Sequence, residues 1–492
     1  MVGAGANPLN MHDINLLSYG LPRSYSSLRE AAMVIHSEVF ERFTQGDTIP
    51  VITQAVMENA LSPRVIDQLF EDVAERQYTR ELLFSSIVEL MSLVVCGIRP
   101  SINAAYVKNA VPIHVSLGAL YRKIDRIEPP IAAALVRTSA ERLGPVITAM
   151  EGGLTPFLEG YRTKILDGNH LAKTEHRIKE LRTMRAGALP GHALVVFDPA
   201  LMLAIDVVLR EDGHAQERSL LDQVLQTVAD HDLWIADRNF CTTGFLFGIA
   251  RAGGSFVIRQ HASTLRWSLV GKRRALGRVE TGEVFEQRMR ATDEAGEVLL
   301  LRRVTVVLDK PTRDGDKEIH LLTNLPAKAA TGRSIAEIYR RRWTIETAFQ
   351  EMEKVLQGEI EALGYPRAAL FSFCVALVSY NVMATTKAAL RAAHEGDSLS
   401  EEISGYHLAE EIRMSHRGMI RAIPKDEWVC FQEMSPRDLG VLLVDWARSV
   451  PLEEYRKSHR GPKKPKPEKQ SGAKISHVAT AKIIKARNAC TK

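Results

Sequence analysis

The chain has 492 residues, 45% of them hydrophobic, and a formal net charge of +5. A sequence of that length and composition has ample material for about two to four cored domains. Its five cysteines (Cys96, Cys241, Cys374, Cys430 and Cys490) show no C-x-x-C pairing, which argues against a zinc ribbon or a disulfide framework and suits a reducing compartment.

Residues 1 to about 155 read as helices broken by Pro50, Pro63, Pro100, Pro112 and the pair Pro129-Pro130. No basic-then-apolar leader opens the chain, so a cytoplasmic protein is expected. Within this region Val115 to Ile127 has Ser116 as a cap and Leu117, Leu120 and Ile124 as an apolar stripe. Tyr121, Arg122, Lys123 and Arg126 are then left to face outward, as in a recognition helix entering a major groove, or as in any amphipathic helix with a basic face. Near Gly160 the texture turns to strands: Tyr161–Leu166 running into Asp167, then Ala193–Phe197 and Met202–Leu209 joined by a turn at Asp198-Pro199. A helix from about Gln216 to Ala229 precedes the short strand Leu233–Ala236, which ends in Asp237. Residues 260–318 are polar, Arg-rich and β-like, and look like an insertion before the strand Ile319–Thr323.

Ser334 to Gln357 reads as one helix capped by Ser334 and stopped by Gly358, with Ile338, Ile345, Phe349, Met352 and Leu356 on its buried stripe. Leu82–Ile98 and Leu370–Ala384 are apolar, but too short or too polar for membrane spans, so buried helices are expected. Glu401–Val450 reads as helical, and the Pro/Lys-rich run Arg460–Lys469 as unpacked. From Arg456 to Lys492 there are twelve Lys/Arg against one acid, Glu468, a net of +11 that leaves −6 for the remainder. That tail suits a polyanion such as nucleic acid, or serves only as a solvated extension.

Asp167, Asp237 and Glu346 each stand at the end or on the face of a regular element. Converging carboxylates suit two Mg²⁺ or Mn²⁺ ions, which activate an attacking hydroxyl and stabilise the leaving oxygen in displacement at phosphorus. Arg342 fits as a phosphate clamp or as a counter-charge for Glu346.

Together ILDGN, WIADRNF and YRRRWTIE resemble the DDE transposases of bacterial insertion sequences, in the group typified by insertion sequence 4. Tyr339-x2-Arg342-x3-Glu346 is similar to that group's Tyr-Arg-Glu-Lys signature, and the β-rich segment before the helix is a further shared feature. The resemblance covers about residues 160–390. It departs at the Lys expected seven residues after the Glu: that position is Glu353, and Lys354 follows about 80° round the helix from Glu346.

The implied fold is α/β: an RNase H-like mixed sheet flanked by helices, at residues 156–395, with the β-rich insertion 260–318. A helical DNA-binding domain (1–155) precedes it, and a helical C-terminal region (396–455) and an unpacked basic tail (456–492) follow. The implied activity is cut-and-paste transposition. Water cuts at the transposon end, and the freed 3′-hydroxyl attacks either the opposite strand, forming a hairpin, or target DNA. Asp167, Asp237 and Glu346 would hold metal, Tyr339 and Arg342 would contact phosphates, and Lys354 would reach toward the DNA backbone. Trp267 would receive a flipped base, and Arg122, Lys123 and Arg126 would bind the terminal repeats. The implied partner is double-stranded DNA, gripped by a homodimer at the nucleoid. Two other readings stay open: a transposase-derived DNA-binding protein without catalysis, and an RNase H-like nuclease that never joins strands.

Overall fold

The computed structural model describes residues 37–77, 81–108, 113–171, 178–183, 187–261, 264–312, 315–394, 402–457 and 477–490. The run Arg460–Lys469 lies outside them. Among the described residues seven helices lead: α1 Glu38–Gly46, α2 Thr48–Ala60, α3 Pro63–Val73, α4 Phe84–Val95, α5 Ile102–Val107, α6 Leu117–Ile124 and α7 Pro129–Ala149. Their punctuation follows the text, since prolines occupy the first turns of α3 and α7, where no intrahelical N–H is needed. The buried carboxylate of Glu128, just before α7, accepts the N–H groups of Glu75, Arg76 and Gln77 and so organises the turn after α3.

The strands are β1 Arg162–Leu171, β2 Gly187–Leu189, β3 Gly191–Asp198, β4 Leu203–Arg210, β5 Asp232–Ala236, β6 Ser255–Arg259, β7 Arg266–Val279, β8 Gly282–Thr292, β9 Val298–Leu308 and β10 Glu318–Thr323. The short α8 (Leu221–Leu225) and α9 (Thr243–Arg251) are interleaved with them. Nine strands form one mixed sheet in the order β4-β3-β1-β5-β6-β10-β9-β8-β7, with β1, β5 and β6 parallel and the other pairings antiparallel. This is the mixed α/β architecture expected of an RNase H-like domain. The segment 260–318 does not stand apart, because β10 pairs with both β6 and β9 and carries the central sheet straight into it.

Alternation sorts the side chains to two faces. Ile165, Val195, Leu233, Ile235 and Val257 join a core shared with the N-terminal helices, while Leu166, Leu194, Trp234, Phe256 and Ile258 pack on α8 and α9. After β10 come α10 Gly332–Arg340, α11 Trp343–Val355, α12 Pro366–His394, α13 Gly405–Ala422, α14 Asp426–Gln432 and α15 Pro436–Ala447. The helical regions on either side of the sheet domain therefore merge, through α12, into one core with one face of the sheet. By length and composition α12 is apolar enough to cross a membrane, but its apolar window is wholly buried inside the protein. The polar group within it has a structural use. Asn381 accepts from the Ala204 N–H (2.8 Å) and donates to the Ala204 carbonyl (2.9 Å) and to Ser139 Oγ (3.0 Å), pinning the helix to β4 beside a bulge.

One expectation for the basic tail is corrected. Residues His477–Ala479 form β11, which pairs in parallel with β2, and α16 (Thr480–Cys490) follows it. Val478 and Ile483 pack against a small cluster of Ile178, Leu181 and Ala188, while Arg487 and Lys482 face Glu180 and Asp212. Open strand edge and apolar surface beside the main sheet give this part of the tail something to pack on.

Candidate active site

The two aspartates are brought together by strand register. Leu166 on β1 lies opposite Ala236 on β5, so the next residue on each strand is Asp167 and Asp237. The pair of strands is locked at its other end by a buried ion pair, Lys164 Nζ to Asp232 Oδ2 at 2.6 Å, with the ammonium also donating to the Thr227 carbonyl and lying over the Trp234 ring. Asp167 does not end its strand, as the sequence suggests. β1 runs on to Leu171 against β3, so Asp167 leaves the parallel pairing while remaining inside an antiparallel one. Asp237 does end β5, and its Oδ1 accepts the N–H of Asn239 at 2.6 Å, capping the 3-10 turn Arg238–Phe240.

The third acid arrives on a broken helix. Ser334–Gln357 is not one helix, since α10 ends at Arg340 and α11 begins at Trp343. Thr331, rather than Ser334, caps α10 by accepting the Ser334 N–H, and α11 ends at Val355, before Gly358. At the break the backbone bonds tighten to i→i+3 (Arg342 N–H to the Tyr339 carbonyl, Ile345 N–H to the Arg342 carbonyl), and Arg342 sits there. Its guanidinium, with the side chain 10% exposed, donates from Nη1 to Asp167 Oδ2 (3.1 Å) and from Nη2 to Glu346 Oε1 (2.6 Å). Its Nε is buried and has no hydrogen-bond partner.

Electrostatics matches this geometry. Burial pushes the Asp167 carboxyl up to about 6; Arg342 and the Gly168 N–H oppose the rise, while Asp237 and Glu346 add to it. The three acids therefore feel one another. Burial also pushes the Tyr339 hydroxyl up to about 12, and that side chain hydrogen-bonds Arg342, so Tyr339 is a neutral donor at ordinary pH. Among the described residues no three His, Cys, Asp or Glu side chains close in on one point tightly enough to hold an ion. Arg342 lies between Asp167 and Glu346 and is bonded to both, a positive charge that compensates them. The donor set itself, three carboxylates with only hard oxygen atoms, fits Mg²⁺ or Mn²⁺, and Asp167, Asp237 and Glu346 are the residues that would hold such ions.

Other expected site residues fall around this centre. Trp267, 39% exposed, lies near the start of β7 under the Arg303 guanidinium. Three residues before it Thr264 is tied to the Asp237 loop, its hydroxyl donating to the Cys241 carbonyl at 2.5 Å. Lys354 is exposed and lines a cleft of about 870 Å³ with Glu353 and Arg413, and Asn169, two residues beyond Asp167, lines the same cleft. At the N-terminal helices the expectation holds only in part. Ser116 caps α6 and Leu120 and Ile124 are buried, but the helix spans only Leu117–Ile124. Arg122 and Arg126 are exposed, whereas Lys123 folds back over the Phe70 ring (4.6 Å) and Tyr121 packs on the core. The apolar stem of Lys123 gains more against Phe70 than in water, so it does not project as a groove-reading side chain.

Sequence reasoning missed three features. Trp343 is 60% exposed beside Arg342. Arg259 and Arg238 are held near the site by Asp316 on the turn before β10, at 2.6 and 3.7 Å. Glu217 reaches both aspartate-bearing segments, although no motif in the text marks it.

Residues 159–381 match the family described as Transposase DDE domain. That segment is similar to the DDE transposases. Among curated proteins, the putative transposase InsL for insertion sequence element IS186A of Escherichia coli (strain K12) is 26% identical over 245 residues. The transposase for insertion sequence element IS421 of Escherichia coli is similar to the same degree. Each match covers 42% of this chain, and the chain spans 61% of the length of these relatives. The matched segment begins just before β1 and ends within α12, so it contains Asp167, Asp237 and Glu346.

Proposed function

We propose that the chain is the transposase of a bacterial insertion sequence of the insertion sequence 4 group. In this reading it binds terminal inverted repeats as a DNA-bound homodimer at the nucleoid, and catalyses metal-dependent cleavage and strand transfer. The observation that carries this reading is one juxtaposition: Asp167 and Asp237 side by side where adjacent strands leave their parallel pairing, with Asp167 joined to Glu346 through Arg342. Divalent ions held by these three carboxylates would supply activation of the attacking oxygen and neutralisation of charge on the leaving one.

The remaining roles fall to the chain's own groups. Arg342 has an unused buried Nε–H, so a phosphate oxygen drawn into the site gains a donor without displacing one. Tyr339, held neutral, donates to phosphate rather than repelling it. Arg238, next to Asp237 in the chain, and Arg259 supply further counter-charges once Asp316 gives way. Trp267 and Trp343 each offer an exposed ring for a base drawn out of the stack, as hairpin formation requires. Lys354, and Arg122 and Arg126 on the N-terminal helices, serve as backbone contacts.

The test is Asp237→Ala in a plasmid excision assay with the cognate terminal repeats. Excision is expected to fall by more than about 10³-fold, as when one member of a catalytic set is removed. Retained excision would refute the metal role. Nicking without joined products would instead favour a nuclease.

A further inference from the structure

We infer that Glu217 is a positioning residue that brackets the two aspartate-bearing segments, setting the aspartates for metal; this rests on the reading of the site given above. Glu217 opens the 3-10 turn Glu217–Leu220, which is anchored in the core by Leu220 and Leu221 packed with Phe240. Its side chain is 16% exposed and its two oxygens face different strands. Oε2 accepts from Asn239 Nδ2 on the Asp237 loop. Oε1 lies against the backbone at Gly168, so close that a Cβ there would stand 2.1 Å from it, and is 3.6 Å from His170 Nε2. A Cβ at position 168 would therefore push the Glu217 carboxylate away from β1.

The neighbouring residue completes the grip. Arg218 Nε donates to the Asn239 carbonyl at 2.8 Å. Asn239 is thus held at both its amide side chain and its carbonyl, and its own N–H is the donor that orients Asp237 at 2.6 Å. One turn thereby fixes the residue that aims Asp237 and abuts the residue that follows Asp167. Removing the Glu217 side chain takes away the bond to the Asn239 amide and the contact at Gly168 at once, while leaving the Arg218 bond and the hydrophobic anchor of the turn intact. Outer hydrogen bonds of this kind govern how well carboxylates are presented to an ion, and losing one typically lowers metal affinity about 10–100-fold.

The experiment measures Mn²⁺ binding to the full chain by calorimetry, in wild type, Glu217→Ala, Glu217→Gln, Asn239→Ala and Asp237→Ala, with thermal melts in parallel. Glu217→Ala and Asn239→Ala are each expected to weaken Mn²⁺ binding about 10–100-fold. Glu217→Gln, whose amide oxygen still accepts from Asn239, is expected to stay within about threefold of wild type, and to melt with Glu217→Ala. Asp237→Ala is expected to lose the site. Wild-type affinity in Glu217→Ala and Asn239→Ala, with binding lost in Asp237→Ala, overturns the bracket and leaves the metal reading standing. Equal weakening in Glu217→Gln and Glu217→Ala overturns it too, because charge and not the hydrogen bond would then matter. Unchanged binding in Asp237→Ala overturns the metal reading and the bracket with it. Should Glu217→Ala not fold, Asn239→Ala reads the same hydrogen bond from its other end.

Discussion

The two halves of the single nine-stranded sheet are built on different principles. In the inner half, β3 is buried along its whole length and β5 likewise, covered on one face by the helical core and on the other by α8 and α9. In the outer half, β7 is exposed at almost every position and carries Lys272, Arg273, Arg274 and Arg278. Charge pairs do much of the work that apolar packing does inside: Arg302 with Glu286 across β9 and β8, Arg251 on α9 with Asp293 and Glu297 on the β8–β9 turn, and Arg278 with Asp309. Long charged side chains on the free edge also discourage another strand from adding there. The candidate site sits where the sheet is rigid and dry, and the arginine-rich surface lies on the half that a polyanion can reach. Burial supplies precision and exposure supplies contact, and one continuous ladder of backbone bonds provides both.

Four substitutions probe that contrast. Trp234→Ala, in the fully buried centre of β5, is expected to cost about 3–5 kcal/mol in denaturant unfolding, because it leaves a large cavity beside Phe245 and removes the surface over which Lys164 lies. A cost below about 1 kcal/mol would mean that the inner half is not held by packing. Arg302→Ala comes next at about 3 kcal/mol. It strands the half-buried Glu286 carboxylate and the carbonyls of Leu325 and Ala330, all of which the guanidinium now serves.

His320, on β10 where the halves meet, makes a pH prediction. Burial is the main cause holding its ring well below the ordinary value, at about 4. The unfolded chain takes up this proton below about pH 6.5 and the folded one only near 4, so the contribution to stability is complete above 6.5 and shrinks as pH falls toward 4. His320→Gln is expected to remove up to about 2 kcal/mol of the stability change between those limits, read by melting across a pH series. An unaltered pH profile would show that the ring is not held neutral. The smallest effect is expected for Arg278→Ala. Its contact with Asp309, from Nη2 to both carboxylate oxygens at 2.8 Å, is exposed, and its loss should leave the unfolding midpoint nearly unchanged, with any small shift fading as salt is added. A larger cost would show that the edge depends on its charge pairs.

Much of the site was legible without coordinates because its residues punctuate local patterns. An apolar run that ends in Asp237 announces a strand exit, and Arg342 four residues before Glu346 announces a helical pair; the structure has both. The continuation of β1 past Asp167 was not legible, since it depends on β3 lying alongside. Nor was the break at Arg341–Arg342. No Pro or Gly marks it, and the interaction that accompanies it is the pull of Asp167 on Arg342 from 175 residues away.

Composition, strand alternation and the three acidic motifs were sufficient to identify a mixed α/β sheet with a carboxylate site, because each depends on residues within a few positions of one another. Tertiary structure alone decided which atoms face Arg342, that Glu217 abuts Gly168, that Lys123 turns inward and that His477–Ala479 pairs with β2. Those contacts join segments far apart along the chain, and nothing in the local chemistry of either segment encodes its partner.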